Sequence, residues 1–230
     1  MKILLLNGSP KGDKSDTMHM ARAFLAGMND VSDNEVTQVN VIDKHIEYCT
    51  GCFACKKNGG VCRFDDDMKD ILSAILSSDL LLFSFPLYCY SMPAPLKALI
   101  DRTMPLSTLA MEKVGDRYEH PSQYDFSRLK YVMLCGCGFP DAKHNFEAMV
   151  TQFHLMFGQE DSTIITVPES PMFNEPMADP VTKPFLEAMR QAGREYAKCG
   201  AVSGYTMEKL AVPMIPEEEY ARICNADNDK

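Results

Sequence analysis

The sequence predicts an α/β fold with five parallel strands in the order 2-1-3-4-5 and helices on both faces of the sheet. Short apolar runs alternate with segments of helical periodicity through most of the 230 residues. Strands that are joined by helices in this way pair in parallel through right-handed crossovers. The length suits one hydrophobic core, so we expect one domain over residues 1–200, followed by an extension over residues 201–230.

The first half of the chain supplies three strands and two helices. Residues 2–7 form an apolar run that ends at Gly-Ser-Pro, which is typical of a strand buried on both faces. Residues 17–28 have apolar side chains at helical spacing, and residues 36–42 alternate apolar with polar, as a strand does. Residues 65–78 begin with three acidic residues, which favour a helix N-terminus. Residues 80–85 (LLLFSF) predict a third buried strand.

The second half continues the alternation. Residues 93–104 predict a helix, because its proline lies where the first helical turn tolerates one. Residues 131–135 predict a fourth strand, which a helix over 145–157 follows. Residues 163–167 predict a fifth strand, and residues 184–198 a fifth helix. Each strand is therefore followed by a helix, as the fold requires.

Two segments lie outside this pattern. Residues 105–128 lack a sustained period and mix Pro, Gly, Ser and charged residues, so we expect a long excursion that could act as a lid. Residues 201–230 include VPMIPEEEY and predict an acidic tail, which either packs on a neighbour or is loosely held.

Composition excludes several classes of protein. The net charge is −9 and no Lys/Arg-rich run is present, so nucleic acid is not expected as a partner. No stretch of eighteen apolar residues occurs, and the N-terminal apolar run is too short for a secretion signal, so we expect a cytoplasmic protein without membrane contact. Nine cysteines, an odd number, do not suggest a disulfide framework.

A first candidate binding loop joins the first strand to the first helix. It contains Ser9, Lys11, Ser15 and Thr17, whose hydroxyl, amide and ammonium groups could surround a phosphate at the helix N-terminus. The loop matches neither the dinucleotide-binding pattern G-x-G-x-x-G nor the P-loop. Ordinary helix capping explains the same residue types, so the sequence leaves both interpretations open.

Two further loops follow the third and fourth strands. Ligands of open α/β sheets bind beyond the carboxyl ends of the strands, beside the point where the strand order reverses. Aromatic side chains, a methionine and free backbone amides in these loops could hold a flat heteroaromatic ring. The candidate residues are Pro86, Leu87, Tyr88, Cys89, Tyr90, Ser91 and Met92 in one loop, and Gly136, Cys137, Gly138 and Phe139 in the other.

These three loops carry a family resemblance. GSPKGDKSDT, FPLYCYSMPAPLKALIDR and CGCGFPD resemble the flavin loops of the NAD(P)H-dependent FMN reductase group of flavodoxin-like proteins, and within it the iron-sulfur flavoproteins. The resemblance covers about residues 1–200. It implies FMN, with the phosphate at the first loop and the ring at the other two. Asp16 departs from the pattern, which has a neutral Asn or Ser there, and a carboxylate beside a phosphate costs energy.

Four cysteines are concentrated in YCTGCFACKKNGGVC, directly after the second strand. Cys49, Cys52, Cys55 and Cys62 follow the C-x2-C-x2-C pattern with a later fourth cysteine that the resemblance implies for a four-iron four-sulfur cluster. Gly51, Gly59 and Gly60 permit the tight turns that such a loop needs. Zinc also accepts four thiolates, and an empty thiol loop near the flavin or a subunit interface is a third possibility.

The function that the resemblance implies is electron transfer by FMN from NAD(P)H to a quinone, flavin or protein acceptor. The flavin N5 carries the chemistry, so we expect no catalytic side chain. A homo-oligomer, dimer or tetramer, is expected. Two alternatives are a non-enzymatic flavin and iron-sulfur electron carrier, and a zinc-stabilised binding module without flavin.

Overall fold

The computed structural model of the protein describes residues 1–226. The strands are β1 (Lys2–Asn7), β2 (Glu35–Asn40), β3 (Leu80–Pro86), β4 (Glu112–Val114), β5 (Arg117–Glu119), β6 (Lys130–Gly136) and β7 (Ser162–Val167). The helices are α1 (Asp16–Asn29), α2 (Ala54–Lys57), α3 (Met68–Leu76), α4 (Ala94–Asp101), α5 (Glu147–Phe157), α6 (Asp179–Cys199), α7 (Gly204–Ala211) and α8 (Glu217–Ala226).

Five of the strands form one parallel sheet in the order β2-β1-β3-β6-β7. This order confirms the predicted 2-1-3-4-5 arrangement, since β4 and β5 form a separate antiparallel hairpin. The hairpin lies inside residues 105–128, which were expected to leave the sheet. The chain passes from β1 to β2 on one side and then to β3 on the other, so the strand order reverses beside β1.

Alternate residues of β1 enter two different hydrophobic cores, as the two-residue period of a strand requires. Ile3 and Leu5 join the core under α1 and α6, whereas Leu4 and Leu6 join the core under α3, α4 and α5. All four side chains are buried. This double burial explains why the sequence of β1 is continuously apolar and not alternating.

Helices α1 and α6 cross in very close contact at two glycines. A Cβ atom on Gly27 would lie 1.8 Å from the carbonyl oxygen of Arg190, and one on Gly193 would lie 1.9 Å from that of Phe24. Only glycine allows the two backbones to approach this closely. Helix α6 also begins earlier than expected, at Asp179, with Pro184 inside it.

The C-terminal region differs from the expected tail. It forms α7 and α8, and Leu210 of α7 is buried in the core under α1 and α6. Thr206 donates a hydrogen bond to Glu195 of α6 at 2.7 Å, and Tyr220 of α8 is buried. Leu210 and Tyr220 explain the difference, because each helix buries an apolar side chain against this chain's own fold. The last four residues of the expected tail, 227–230, lie outside the described residues.

Among residues 1–226, no helix combines the length and the apolar character needed to cross a membrane.

Candidate functional site

Three strand-end loops and a fourth enclose one cleft at the carboxyl edge of the sheet. The cleft has a volume of about 250 Å³ and lies beside β1, where the strand order reverses. Leu87 N–H donates to the carbonyl oxygen of Gly136 at 2.7 Å, which joins two of the loops. The residues that line the cleft are Ser9, Lys11, Asp16, Pro86, Leu87, Tyr88, Gly136, Cys137, Gly138, Ser170 and Pro171. The cleft therefore has the position that ligands of this type of sheet occupy.

The first loop ends at the N-terminus of α1. Ser15 caps the helix, because its hydroxyl accepts the Thr17 N–H at 3.3 Å and lies 2.9 Å from the Thr17 hydroxyl. Ser9, Ser15 and Thr17 are all buried, but only Ser9 lines the cleft. The unpaired amide groups of a first helical turn favour an anion, so the backbone of this loop suits a phosphate.

Lys11 and Asp16 form an ion pair within the same loop. The Lys11 Nζ lies 3.0 Å from Asp16 Oδ2, and Asn174 donates to the other carboxylate oxygen. The Asp16 side chain is only 12% exposed. The ammonium group that was predicted to bind the phosphate is thus already paired with a carboxylate.

The second loop contains a two-residue hairpin turn between Tyr88 and Ser91, whose backbones exchange hydrogen bonds of 2.9 and 3.0 Å. Its central residues, Cys89 and Tyr90, have φ angles of 48° and 62°. Turns of this type favour Asn-Gly, so Cys89 and Tyr90 hold a conformation that costs backbone energy. Strain of this kind is concentrated at ligand-binding sites.

The predicted ring contacts of the second loop divide into two groups. Pro86, Leu87 and Tyr88 line the cleft. Cys89 and Tyr90 lie exposed at the turn, Ser91 donates to Gln152 at 3.0 Å, and Met92 is buried in the core. Of the predicted residues in this loop, only the first group therefore lines the cleft.

The third loop approaches the cleft through small residues. A Cβ atom on Gly136 would lie 2.5 Å from the Ser170 hydroxyl, so this position needs glycine. Gly138 and Cys137 also line the cleft, whereas Phe139 is half exposed beside it. Burial raises the pKa of the Cys137 thiol, which keeps this side chain neutral.

A second cavity, of about 360 Å³, is lined by all four cysteines of residues 48–62, the cysteine loop. Cys55 is buried, Cys62 is half buried, and Cys49 and Cys52 are exposed at the cavity mouth. The predicted glycine turns are present, since Gly51, Gly59 and Gly60 all have positive φ angles, and Phe53 shares this conformation. The four cysteines of this segment therefore line one cavity, and their role as metal ligands stays a prediction.

Cationic groups lie close to these thiols. The Ala54 N–H and the Thr50 hydroxyl lower the pKa of Cys52, and the charge of Arg63 adds to the effect. Lys56 donates hydrogen bonds to the carbonyl oxygens of Met104 and Ser107, which attaches the loop to the segment after α4. This environment favours the thiolate form of Cys52.

The comparison with known proteins agrees with this geometry. The family model described as flavodoxin-like fold matches residues 1–165. The chain belongs to the flavodoxin-like fold family. The resemblance that the three loop motifs indicated is thereby confirmed at the level of the family.

Curated relatives match just under half of the chain. An iron-sulfur flavoprotein of Methanocaldococcus jannaschii is 31% identical over 106 residues, which are 46% of this chain and 53% of that protein. The chain spans about half the length of the curated relatives that it matches.

Solved structures cover the flavodoxin-like chain more fully at lower identity. An NAD(P)H:quinone oxidoreductase from Methanothermobacter marburgensis superposes with a TM-score of 0.62 and 17% identity, over 85% of this chain and 96% of that one. An FMN-dependent NADH-azoreductase from Bacillus anthracis, in complex with FMN, gives a TM-score of 0.60 and 17% identity, over 87% and 99%. These likenesses show the fold.

Two cleft residues of this flavodoxin-like chain were missed by the sequence analysis. Ser170 and Pro171 follow β7, at the same sheet edge as the three predicted loops. The signal was present, because residues 168–171 (PESP) have the composition of the other strand-end loops. A fifth strand had been predicted directly before them, and extending the strand-end rule to it would have found both residues.

Proposed function

We propose that the protein is an FMN-dependent oxidoreductase that takes electrons from NAD(P)H and passes them to a quinone, flavin or protein acceptor. The observation that carries the proposal is the cleft formed by four strand-end loops where the strand order reverses. One relative is named as an FMN-dependent NAD(P)H:quinone oxidoreductase of Pseudomonas aeruginosa. This name, with those of the two superposed structures, supports FMN as the cofactor and NAD(P)H as the donor. Bound FMN would accept a hydride from NAD(P)H at its N5 atom and release two electrons to the acceptor.

The residues of the cleft fit this cofactor. The backbone amides of residues 9–17 would hold the phosphate, with the buried hydroxyl groups of Ser9, Ser15 and Thr17 beside them. Pro86, Leu87 and Tyr88 would contact one face or edge of the ring, and Gly136 and Gly138 leave space for it. Burial raises the pKa of the Cys137 thiol, which disfavours this side chain as a nucleophile. These residues bind, orient and shield the cofactor.

The cysteine cavity fits a four-iron four-sulfur cluster better than zinc. One tetrahedral zinc ion with bonds of about 2.3 Å brings its sulfur ligands within about 3.8 Å of each other. In residues 1–226, no group of three or more His, Cys, Asp or Glu side chains is arranged to hold a single metal ion. A cluster needs its four thiolates further apart, because each binds a different iron. Four thiols line a cavity of about 360 Å³, and this arrangement supports a cluster over a single zinc ion.

Helix α4 connects the two sites. It begins at Ala94, directly after the second loop of the cleft (residues 86–92). At its other end, Ile100, Asp101 and Arg102 line the cysteine cavity. Eight residues of helix span about 12 Å. The proposed flavin and cluster would lie at opposite ends of this short helix, which supports electron transfer between them.

A first experiment tests cofactor and activity together. Anaerobically purified protein should show flavin absorbance with an added broad band and about four iron atoms per chain, the number in the proposed cluster. It should oxidise NADH or NADPH when a quinone is present. Reduction by dithionite without nucleotide turnover would favour the non-enzymatic carrier. A colourless protein would contradict the proposal.

A second experiment separates the two cofactors. Cys55→Ser should lose iron and keep FMN, because the buried Cys55 lines only the cysteine cavity. Cys199→Ser is the matched control, since Cys199 is an exposed free thiol at the end of α6. If both variants keep the same iron content as the wild type, the cysteine loop is not the cluster site.

Homo-oligomeric assembly and a cytoplasmic location are parts of the same proposal. An iron-sulfur cluster with exposed thiols at the cavity mouth suits a reducing compartment, and no disulfide joins the nine cysteines, all of which lie in residues 1–226.

A further inference from the structure

A buried ion pair lies beside the cysteine cavity, which its arginine, Arg102, lines. The Arg102 guanidinium binds the Asp66 carboxylate through two hydrogen bonds, of 2.6 and 3.0 Å. The two side chains are only 2% and 1% exposed. Removal from water makes such a pair costly, so its retention at this position requires either excellent geometry or a role.

The pair attaches both ends of the cysteine loop to α4. Arg102 Nη1 also donates to the carbonyl oxygen of Glu47 at 2.7 Å, just before the first cysteine. Asp66 accepts the N–H groups of Glu47 at 2.9 Å and Met68 at 3.2 Å, so it holds the start of the loop and the helix that follows it. Arg102 follows α4 directly, so these five hydrogen bonds fix the cysteine loop relative to α4. The other end of α4 lies next to the second loop of the cleft.

One donor of this guanidinium has no partner. Arg102 Nε is buried and makes no hydrogen bond in the part of the chain that the structure describes, although Arg102 lines the cysteine cavity. An unpaired buried donor is destabilising. Burial disfavours the charged form of Arg102, but the hydrogen bonds to Asp66 and the neighbouring Cys62, through its charge and side-chain hydrogen bonding to the guanidinium, outweigh it, so the pKa of Arg102 is raised.

We propose that Arg102 is a positioning residue for a cysteine-bound cluster, and that its free Nε–H donates a hydrogen bond to the Cys62 thiolate when the cluster is present. The proposal rests on the cluster of the proposed function. One-electron reduction adds a negative charge to a cluster, and a hydrogen bond or cation at its sulfurs stabilises the reduced form. Arg102 therefore holds the midpoint potential of the cluster above the value it would have without the guanidinium.

The test compares variants of the full chain after reconstitution with iron and sulfide. Arg102→Met combined with Asp66→Asn removes the charge without leaving Asp66 as an unpaired buried carboxylate. Arg102→Lys keeps the charge and removes the planar fork and Nε. Lys57→Met is the matched control, because it removes one positive charge from the same loop at an exposed position.

Three measurements are made on each protein: iron per chain, the midpoint potential of the cluster by titration with a spectroscopic readout, and the thermal unfolding curve. We expect the double variant and Arg102→Lys to have a lower midpoint potential than the wild type, and Lys57→Met to stay close to it. A folded double variant that takes up less iron also supports the positioning role. If the double variant fails to fold, Arg102→Lys decides.

Two outcomes overturn the proposal in distinguishable ways. If Arg102→Lys and any folded double variant keep full iron and the wild-type potential, Arg102 has no role towards the cluster while the cluster itself stands. If the wild-type protein takes up no iron, the proposed cluster fails, and the role of Arg102 fails with it.

Discussion

At the scale of single residues, Asp16 is the departure that matters most for the cleft. Its carboxylate is nearly buried at the first turn of α1 and pairs with Lys11 at 3.0 Å. A helix N-terminus stabilises this negative charge, and the same feature stabilises a bound phosphate. Asp16 and the phosphate of the proposed FMN would therefore compete for one electropositive site.

Replacement of Asp16 by Asn should strengthen FMN binding. The amide removes the repulsion of the phosphate dianion and frees Lys11 to approach it. We expect an affinity about tenfold higher, or ~1.4 kcal/mol, measured by quenching of flavin fluorescence. Riboflavin, which lacks the phosphate, is the control, and its affinity should stay constant. An equal gain for both flavins would show that Asp16 acts on the ring or the fold.

At the scale of elements, the closest packing in the molecule is the crossing of α1 with α6. Gly27 and Gly193 each face a backbone carbonyl of the other helix. The helical periodicity of both segments could be predicted from the sequence. The close contact of the two helices could not be predicted from the glycines, because a glycine in a helix has the same local signature whether it packs closely or faces solvent.

Gly193→Ala should therefore destabilise the fold. Its Cβ would lie 1.9 Å from the Phe24 carbonyl oxygen, and backbone atoms cannot move away as a flexible side chain can. We expect the free energy of unfolding to fall by about 2–3 kcal/mol. This corresponds to a fall in Tm of roughly 4–10 °C for a chain of this size. Gly204→Ala is the control, since nothing lies within 4 Å of that position. Equal unfolding curves for both variants would contradict this packing argument.

Glu169 connects the C-terminal elements to the cleft. It is buried with a φ of 55°, its N–H donates to Phe139, and its carboxylate accepts the Met214 N–H at 2.6 Å. Its second carboxylate oxygen has no partner among the described residues. Burial raises the pKa of Glu169 above its usual value of 4.5, despite the backbone groups that oppose the shift.

This shift predicts a pH dependence of stability. Above pH 4.5 the unfolded chain loses the Glu169 proton before the folded chain does. The folded state then binds more protons, so stability falls as the pH rises from 4.5 through the folded pKa. Glu169→Gln keeps an acceptor for Met214 and should unfold at a higher temperature than the wild type at pH 7, with a smaller change between pH 4.5 and 7. Glu175→Gln, at an exposed position, should behave as the wild type. If the stability of Glu169→Gln fell between pH 4.5 and 7 as much as that of the wild type, Glu169 would not be the cause of the pH dependence.

At the scale of the whole molecule, the β4–β5 hairpin projects from the sheet with exposed apolar side chains. Leu109, Met111, Val114 and Tyr118 are each at least half exposed, at 50%, 69%, 52% and 69%. A patch of this kind marks an interaction surface more often than a single exposed residue does. It lies within residues 105–128, the segment that the sequence predicted to be a long excursion.

Substitution within the patch should change the state of assembly. We expect Met111→Ser combined with Tyr118→Ser to shift the protein from a homo-oligomer towards the monomer, measured by size-exclusion chromatography with light scattering. Met177→Ser is the control, because Met177 is 94% exposed outside the hairpin. A monomeric wild type, or an unchanged mass in the double variant, would exclude this surface as the contact.

Local patterns were enough to predict the strands, their order and the sheet edge that carries the cleft. Each depends on the period of a short segment or on the rule that parallel strands end at one edge. The same patterns could not separate Tyr88, which lines the cleft, from Met92 four residues later, which is buried in the core. That division is made by the turn at Cys89 and Tyr90, whose conformation their residue types do not favour.

The sequence by itself determined the α/β class, the family and the concentration of four cysteines after the second strand, because these depend on residues close together in the chain. Only the tertiary structure decided that residues 204–226 pack on the core, that Asp16 pairs with Lys11, and that Arg102 meets Asp66 beneath the cysteines. Arg102 and Asp66 are separated by 36 residues. Their contact exists because α3 and α4 pack on the same face of the sheet, which brings the two side chains together, and pairing is the condition of their burial.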